Sequence, residues 1–293
     1  MQRQKTKSLW VSHSSIGDYL KCPRLYFLRN VYKDPKTGNK INIVSPALSL
    51  GQIVHQVLES LSLLKAEDRF THSLIDKYNK AWEQISGKQG GFVSEEQELE
   101  FKNRGAIMIN RVMFHPGPLE NKALKLTSPD SLPPRFLLSP EDDIILCGKI
   151  DWLEYIPETD SVHIIDFKTG MNEEKDDSLQ LPIYMLLVTN CQKRKVSSMS
   201  YWYLENQNEP KRLDLPDLEA SKEKILTIAR KIKQARIENN FLCPKNGCYH
   251  CRPFEEILQG HGELIGTTDY QDLYILPKHD SIPTEIPEDL VPF

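Results

Sequence analysis

The 293-residue sequence has no run of 18 consecutive apolar residues, which excludes a long apolar membrane-spanning helix. Its first residues, MQRQKTKSLW, are basic but lack the apolar stretch and small-residue cleavage site of a secretory signal. A cytoplasmic protein with no membrane association is therefore expected. Cysteine is sparse, with six residues in all. In a reducing compartment these are thiols or metal ligands rather than disulfides. No internal repeat is visible. An excess of positive charge is also missing: 37 Lys and Arg stand against 41 Asp and Glu, for a net charge of -4. Taken alone, that total argues against a general polyanion binder.

What is present is the composition of a folded chain, 39 % apolar and 27 % charged. The length allows one large domain or two small ones. The charge is unevenly spread. Residues 1–40 carry nine basic and two acidic side chains, and residues 222–236 carry six basic and one acidic. Residues 252–293 carry two basic and nine acidic. The total of -4 and the tail's -7 leave +3 for residues 1–251, the kind of local excess that a phosphate backbone would meet. For any single cluster, solvated helix faces are the simpler explanation of the charges.

Apolar spacing predicts helices over 14–32 (capped by Ser14 or Ser15), 46–64, 72–86 and 94–114, then a Pro-rich connector over 115–134. The pattern then changes. Residues 143–156 and the run VHIIDFKTG read as strands joined across the turn PETDS. A helix over 178–190 follows, opened by Ser178 and carrying Pro182 in its first turn. Residues 198–205 read as a further strand and 217–239 as a long basic helix. The order of elements gives an α/β or α+β class with a helical N-terminal lobe, and α/β is the expected one.

Four features within 51–184 carry chemistry. They are His55 on a helix with Glu59 one turn on, GKID (148–151) within a strand, Asp166 and Lys168 at the end of the next strand, and Gln180 with Tyr184 on one face of the following helix. Antiparallel pairing across 156–161 would set Asp151 beside Asp166, and two adjacent carboxylates repel unless a cation lies between them. Asp166 and Lys168 are two apart and point to one side of the sheet. Oxygen ligands suit Mg²⁺ or Mn²⁺, to which His55 could add an imidazole. Lys168 would orient water and stabilise charge on a phosphoryl oxygen. Each piece alone is commonplace, but an Asp inside an apolar strand needs a partner.

In this order the residues resemble the PD-(D/E)XK nuclease superfamily, in its RecB-like exonuclease branch. That branch includes the CRISPR-associated RecB-like exonucleases and helicase-nuclease nuclease domains. The matching segments are Ser12, Ser14, Ser15, Tyr19, Cys22 and Pro23, then GQIVH (51–55), GKID (148–151), IDFKTG (165–170) and QLPIY (180–184). The resemblance implies a restriction-endonuclease-like core, a mixed central sheet flanked by helices. It implies metal ligation by His55, Asp151, Asp166 and the Phe167 carbonyl, with Lys168 as the catalytic lysine. Gln180 and Tyr184 would touch substrate or orient the lysine, and Glu59 would stand in a supporting position behind the ligands. One domain is expected over 1–251, with its helical lobe at about 14–115, catalytic core at about 135–240 and cysteine cluster at 243–251. An acidic, Pro-rich tail follows over 252–293, in which YQDLYIL could add a strand.

Cys243, Cys248 and Cys251 form C-x4-C-x2-C, and a remote fourth cysteine would complete the thiolates of a [4Fe–4S] cluster or a Zn²⁺ site. Iron–sulfur members of the resembled branch use an N-terminal cysteine, here Cys22, as a staple to the C-terminal three. The family's third C-terminal cysteine would fall at Ile257, so Cys243 would have to substitute. A [4Fe–4S] cluster, Zn²⁺ (with His250 or His261 as alternatives to Cys22) and unliganded thiols all remain open. Cys147 reads as a core residue, and Cys191 has no clustered partner.

The expected activity is metal-dependent hydrolysis of DNA, by exonuclease action on single-stranded or frayed ends. The alternatives are an endonuclease on branched DNA or RNA, and a non-catalytic DNA-binding scaffold. The basic helices would track the strand, and Trp10, Tyr26, Tyr201, Trp202 and Tyr203 are candidate stacking platforms, though core packing is the simpler reading for most of them. The acidic tail is expected to compete with DNA or to bind a protein partner.

Overall fold

The computed structural model describes residues 8–126 and 132–276. Arg3, Lys5, Lys7 and the most Pro-rich part of the tail, 277–293, lie outside the described residues. The chain runs β1 (Leu9–Val11), α1 (His13–Lys21), α2 (Pro23–Tyr26), β2 (Lys40–Ile43), α3 (Pro46–Ser60), α4 (Leu74–Trp82), α5 (Glu95–Phe114), β3 (Arg135–Ser139), β4 (Ile144–Cys147), β5 (Trp152–Ile156) and β6 (Ser161–Lys168). It continues with α6 (Gln180–Cys191), β7 (Lys195–Tyr203), β8 (Lys211–Leu213), α7 (Leu218–Glu238), α8 (Arg252–Leu258), β9 (Glu263–Thr267) and β10 (Gln271–Ile275). This is an α/β fold, with a mixed sheet flanked by helices and the helices α1–α5 preceding its central strands.

The sheet β5-β6-β7-β8 positions the site. β6 pairs antiparallel with β5 and parallel with β7. Seven of its eight residues are buried, as its apolar run demands of a strand covered on both faces. Alternation sorts its side chains. Val162 and Ile164 pack with α6 and α7, whereas Ile165 and Phe167 pack with α3, α4 and α5. Asp166 and Lys168 therefore fall on the α6 side, two and four residues beyond Ile164.

Sequence reading and structure differ where a local rule intervenes. The helix predicted over 14–32 is broken at Cys22, whose φ of -167° and ψ of 123° are extended, because Pro23 disfavours helical geometry in the residue before it. Beyond α2 the chain finishes in a wide turn over Phe27–Val31. The cap of α1 is Ser12, not Ser14 or Ser15. Ser12 and Ser15 exchange hydrogen bonds in a capping box. Helix α6 opens two residues after Ser178, with Leu179 at its N-cap. GKID is not inside a strand: residues 148–151 link β4 and β5, which belong to different sheets. A Cβ on Gly148 would stand 2.9 Å from Leu187 Cδ1, so a larger residue here would have to displace that side chain of α6.

Residues 252–276, counted with the tail in sequence, form α8, β9 and β10. YQDLYIL does supply a strand: β10 pairs parallel with β2 and antiparallel with β9. A small third core joins both ends of the chain, with Leu25 and Leu28 of the first helical segment against Ile41, Ile43, Phe254 and Ile257.

A buried polar ladder crosses the main sheet. His163 bonds Glu154 at 2.8 Å and Ser200 at 2.7 Å, and Asn121 donates to Glu154 at 2.6 Å. Ser200 is wholly buried, so this is mutual satisfaction of buried polar groups and not an exposed nucleophile. His163→Ala is expected to cost about 3 kcal/mol, read as a lower urea midpoint, because it strands the Glu154 carboxylate and the Ser200 hydroxyl.

Candidate active site and four-cysteine centre

The Trp152↔Ile165 register carries Asp151 to a position opposite Asp166, one step beyond the paired strands. Asp151 Oδ2 accepts the Phe167 N–H at 2.9 Å, which locks the first carboxylate to the second strand. α3 crosses this end of the sheet. A Cβ at Gly51 would come within 3.1 Å of Thr169 Oγ1, so glycine permits the approach. One turn on, His55 Nδ1 lies 3.5 Å from Asp151 Oδ1 and 3.7 Å from Glu59 Oε1. His55, Glu59 and Asp151 bring three ligand atoms within 4.8 Å of one another. Asp151 Oδ1 accepts no hydrogen bond among the described residues although it is buried. An orphaned carboxylate oxygen facing an imidazole and a second carboxylate suits a hard divalent cation.

Asp166 belongs to a second group. Its Oδ2 is 3.0 Å from Lys168 Nζ, and its Oδ1 accepts from Gln180 Nε2 at 2.7 Å. The same amide accepts from Lys168 through Oε1 at 2.5 Å and donates to Tyr184 Oη at 3.3 Å. Gln180 is thus fixed in orientation by a cation on one side and an anion on the other. Lys168 also meets Glu174 at 3.0 Å.

Charge follows from this geometry. Burial works against a charged His55, yet Asp151, Glu59 and Asp166 outweigh it and lift its pKa to about 10. Burial opposes the ionised Asp151, but the His55 cation and the Phe167 N–H hold its carboxyl below the usual range. For Asp166 burial wins over the Lys168 ammonium and raises the carboxyl to about 7. Burial also opposes charge on Lys168, and Asp166 and Glu174 overcome it, so the ammonium persists above its ordinary range. Burial, then Lys168, push His13 down to about 4.

These groups open into a cleft of ≈ 1610 Å³ lined by His13, Gly51, His55, Glu59, Lys149 and Lys168, among others. The catalytic residues named from sequence are brought together at this cleft, with Asp166 and Tyr184 behind its wall: His55, Glu59 and Asp151 as a triad, Asp166, Lys168, Gln180 and Tyr184 as a chain, and Phe167 bonded to Asp151 between them. Glu59 stands with His55 and Asp151, while Asp166 turns to the lysine. Three contributors were missed. His13 lies hidden in a serine-rich cap, Glu174 in an acidic loop, and Lys149, which ion-pairs with Glu59, in a motif read only for its Gly and Asp.

Half of the basic residues in the long helix have partners within the fold. In α7, Arg230 pairs with Asp142, Lys233 with the Asp142 carbonyl and Arg236 with Tyr26 Oη. Among the described residues no α7 side chain lines the cleft. Of the basic first segment, Lys21 and Arg29 do line it, with Arg29 paired to Asp18. Tyr26, Tyr201, Trp202 and Tyr203 are buried core residues, leaving only Trp10 exposed among the suggested stacking platforms.

The four cysteines converge. Cys22, Cys243, Cys248 and Cys251 place their sulfurs within 4.8 Å of one another, with Cys248 and Cys251 3.7 Å apart. Cys22 itself completes the set, the place that His250 or His261 would fill in the alternative. Desolvation would raise the Cys243 thiol, but backbone N–H groups of Gly247, Lys245 and Cys248 bring it down to about 6, favouring a thiolate. Burial pushes Cys22 up to about 11. Cys147 and Cys191 stand apart and donate to the carbonyls of Val11 and Arg135.

A model of the PD-(D/E)XK nuclease superfamily matches residues 10–254. The chain belongs to the PD-(D/E)XK nuclease superfamily. A search of curated proteins finds no match. The superfamily's nuclease function agrees with the acidic pair, the lysine and the candidate metal triad. No helix among the described residues is long and apolar enough to cross a membrane.

Proposed function

We propose that this protein is a Mg²⁺- or Mn²⁺-dependent DNA nuclease of the RecB-like branch, an exonuclease that shortens single-stranded or frayed ends. The observation that carries the reading is the pairing of an orphaned Asp151 oxygen, facing His55 and Glu59, with a Lys168 ammonium held by Asp166 and Gln180. His55 in its neutral form, its proton given up on metal binding, would hold the ion together with Glu59 and Asp151, with Asp166 beside them. When bound, the ion supplies Lewis-acid charge and makes water acidic enough to attack a phosphodiester. Lys168 keeps its proton and offers positive charge where negative charge grows on a phosphoryl oxygen. Asp166 and Gln180 aim that ammonium, and Tyr184 fixes the Gln180 amide.

End-directed action is tested with end-labelled linear DNA, a closed single-stranded DNA circle and RNA, each with Mg²⁺ or Mn²⁺. Stepwise shortening of the linear strand with an intact circle and intact RNA is expected. A cut circle would make the protein an endonuclease, and shortened RNA would change its substrate. His55→Ala is expected to raise the Mn²⁺ concentration for half-maximal activity by about 10- to 100-fold, read from a metal titration of the cleavage rate.

We infer that the four cysteines hold a structural metal that staples α1 and α2 to the C-terminal segment. The thiolate set suits both zinc and an iron–sulfur cluster. The 3.7 Å sulfur separation matches a single tetrahedral ion, for which 2.3 Å bonds give edges of about 3.8 Å. A [4Fe–4S] cluster, a larger body, would need the sulfurs to stand further apart. Metal analysis of the purified protein is expected to give one zinc per chain and no colour; four irons with a brown colour would assign the cluster.

A further inference from the structure

Lys168 faces three acceptors: Asp166 Oδ2 at 3.0 Å, Gln180 Oε1 at 2.5 Å and Glu174 Oε1 at 3.0 Å. An ammonium has three N–H donors and no more. The Gln180 contact is a hydrogen bond and those to Asp166 and Glu174 are ion pairs, so three oxygens already surround the ammonium. A phosphate oxygen that reaches the lysine must compete with one of them.

Two of the three are built in. Asp166 lies within β6, is fully buried, and has its other oxygen held by Gln180. Gln180 is the first residue of α6, is fully buried, and has its amide nitrogen shared between Asp166 and Tyr184. Glu174 differs in every respect. It sits in the irregular stretch between β6 and α6, lines the cleft and leaves 27 % of its side chain exposed. Its backbone N–H is fastened to Tyr203 Oη at 2.9 Å, and Ser178 supports its carboxylate. The carboxylate can swing away without disturbing a strand or a helix. The next acidic residue, Glu173, is drawn off by Lys211 at 2.5 Å, so Glu174 is the carboxylate that the loop presents to Lys168.

We propose that Glu174 is the displaceable third partner of Lys168: it positions the ammonium in the free protein and gives up its place to a phosphate oxygen of a bound nucleic-acid strand. This rests on the nuclease reading above. A carboxylate oxygen against an ammonium occupies the location and the charge that a phosphate oxygen would take. Glu174 thus competes with substrate for one cation, and its charge sets how tightly the strand is held.

The test is a double-mutant cycle on the full-length protein. Affinity for a fluorescent single-stranded oligonucleotide is measured by anisotropy in EDTA, so that metal-dependent cleavage does not intervene. Glu174→Gln, with unchanged melting behaviour, is expected to bind about 3- to 10-fold more tightly. In the Lys168→Ala background the same substitution is expected to change affinity by less than about 2-fold. Glu173→Gln serves as the control for a general loss of negative charge, with a similarly small effect. With metal present, KM falls more than kcat. Unchanged or weaker binding by Glu174→Gln, a gain that persists without Lys168, or an unfolded Glu174→Gln would overturn the proposal. A wild type that cleaves DNA while Glu174→Gln shows no gain overturns this proposal alone. A wild type that neither binds nor cleaves DNA overturns the nuclease reading with it.

Discussion

Lys168→Ala is expected to slow cleavage of single-stranded DNA by about 10²- to 10³-fold. The loss arises because the ammonium is the one cation of the site borne by the main sheet and aimed by two buried acceptors. A group so held meets developing charge without reorganising, which is where most of its effect comes from. Lys168→Arg is expected to recover little. A planar guanidinium is too large and too flat for the pocket that Asp166, Gln180 and Glu174 form around a compact ammonium. The alanine variant should still fold. Burial already raises the Asp166 carboxyl to about 7, and without its cation it can take up a proton and remain neutral. The sign of the pH effect follows. A carboxyl whose folded pKa lies above its unfolded value loses stability as pH rises toward the folded value. Removing Lys168 raises that folded value further, so in EDTA the stability gap between variant and wild type should widen above about pH 7. A pH-independent gap in urea unfolding, or a variant that cleaves at the wild-type rate, would show that Lys168 has no such role.

Cys251→Ser is expected to destabilise the chain by about 4 kcal/mol, or about 10 °C in melting temperature, with loss of the bound metal. The segment that this centre ties down has little else to hold it. Its core has eight buried residues, two of them the cysteines themselves, supplemented by the Arg24–Glu255 ion pair and the β10–β2 pairing. Metal free energy gained in the folded state then becomes folding free energy. Limited proteolysis of the variant should cut first between α7 and α8, before the main sheet. Cys147→Ser and Cys191→Ser should keep the metal, since each lies apart from the cluster. A metal-free wild type with the same stability as Cys251→Ser would remove the staple from the account.

The candidate site was legible in the sequence because it rests on short-range geometry. Asp166 and Lys168 share a side by strand alternation, Asp151 follows from a hairpin, and Gln180 and Tyr184 from helix spacing. What escaped was set by long-range packing. Nothing local to Glu174 says that its loop folds back over Lys168, and although helix spacing puts Glu59 beside His55, nothing local says that Asp151 joins them while Asp166 turns to the lysine. The basic run of α7 is only partly informative for a related reason, since charge counted along a helix does not reveal that Asp142 and Tyr26 engage Arg230, Lys233 and Arg236. The interrupted first helix was readable from Pro23. The short strands β1, β3 and β9 carry too few residues to show a period. The convergence of Cys22 with the distant C-terminal three followed only from a family resemblance, and the structure brings all four together.

On the proposed function, the cleft between α3 and β6 hydrolyses DNA with a divalent cation held by His55, Glu59 and Asp151. The most direct test is the cleavage rate of end-labelled single-stranded DNA by wild-type protein in Mg²⁺ or Mn²⁺, in EDTA, and after the ion is restored. Cleavage with the ion, none in EDTA and full recovery on restoration are expected. Cleavage that persists in EDTA, or none with either ion, would contradict the proposed function.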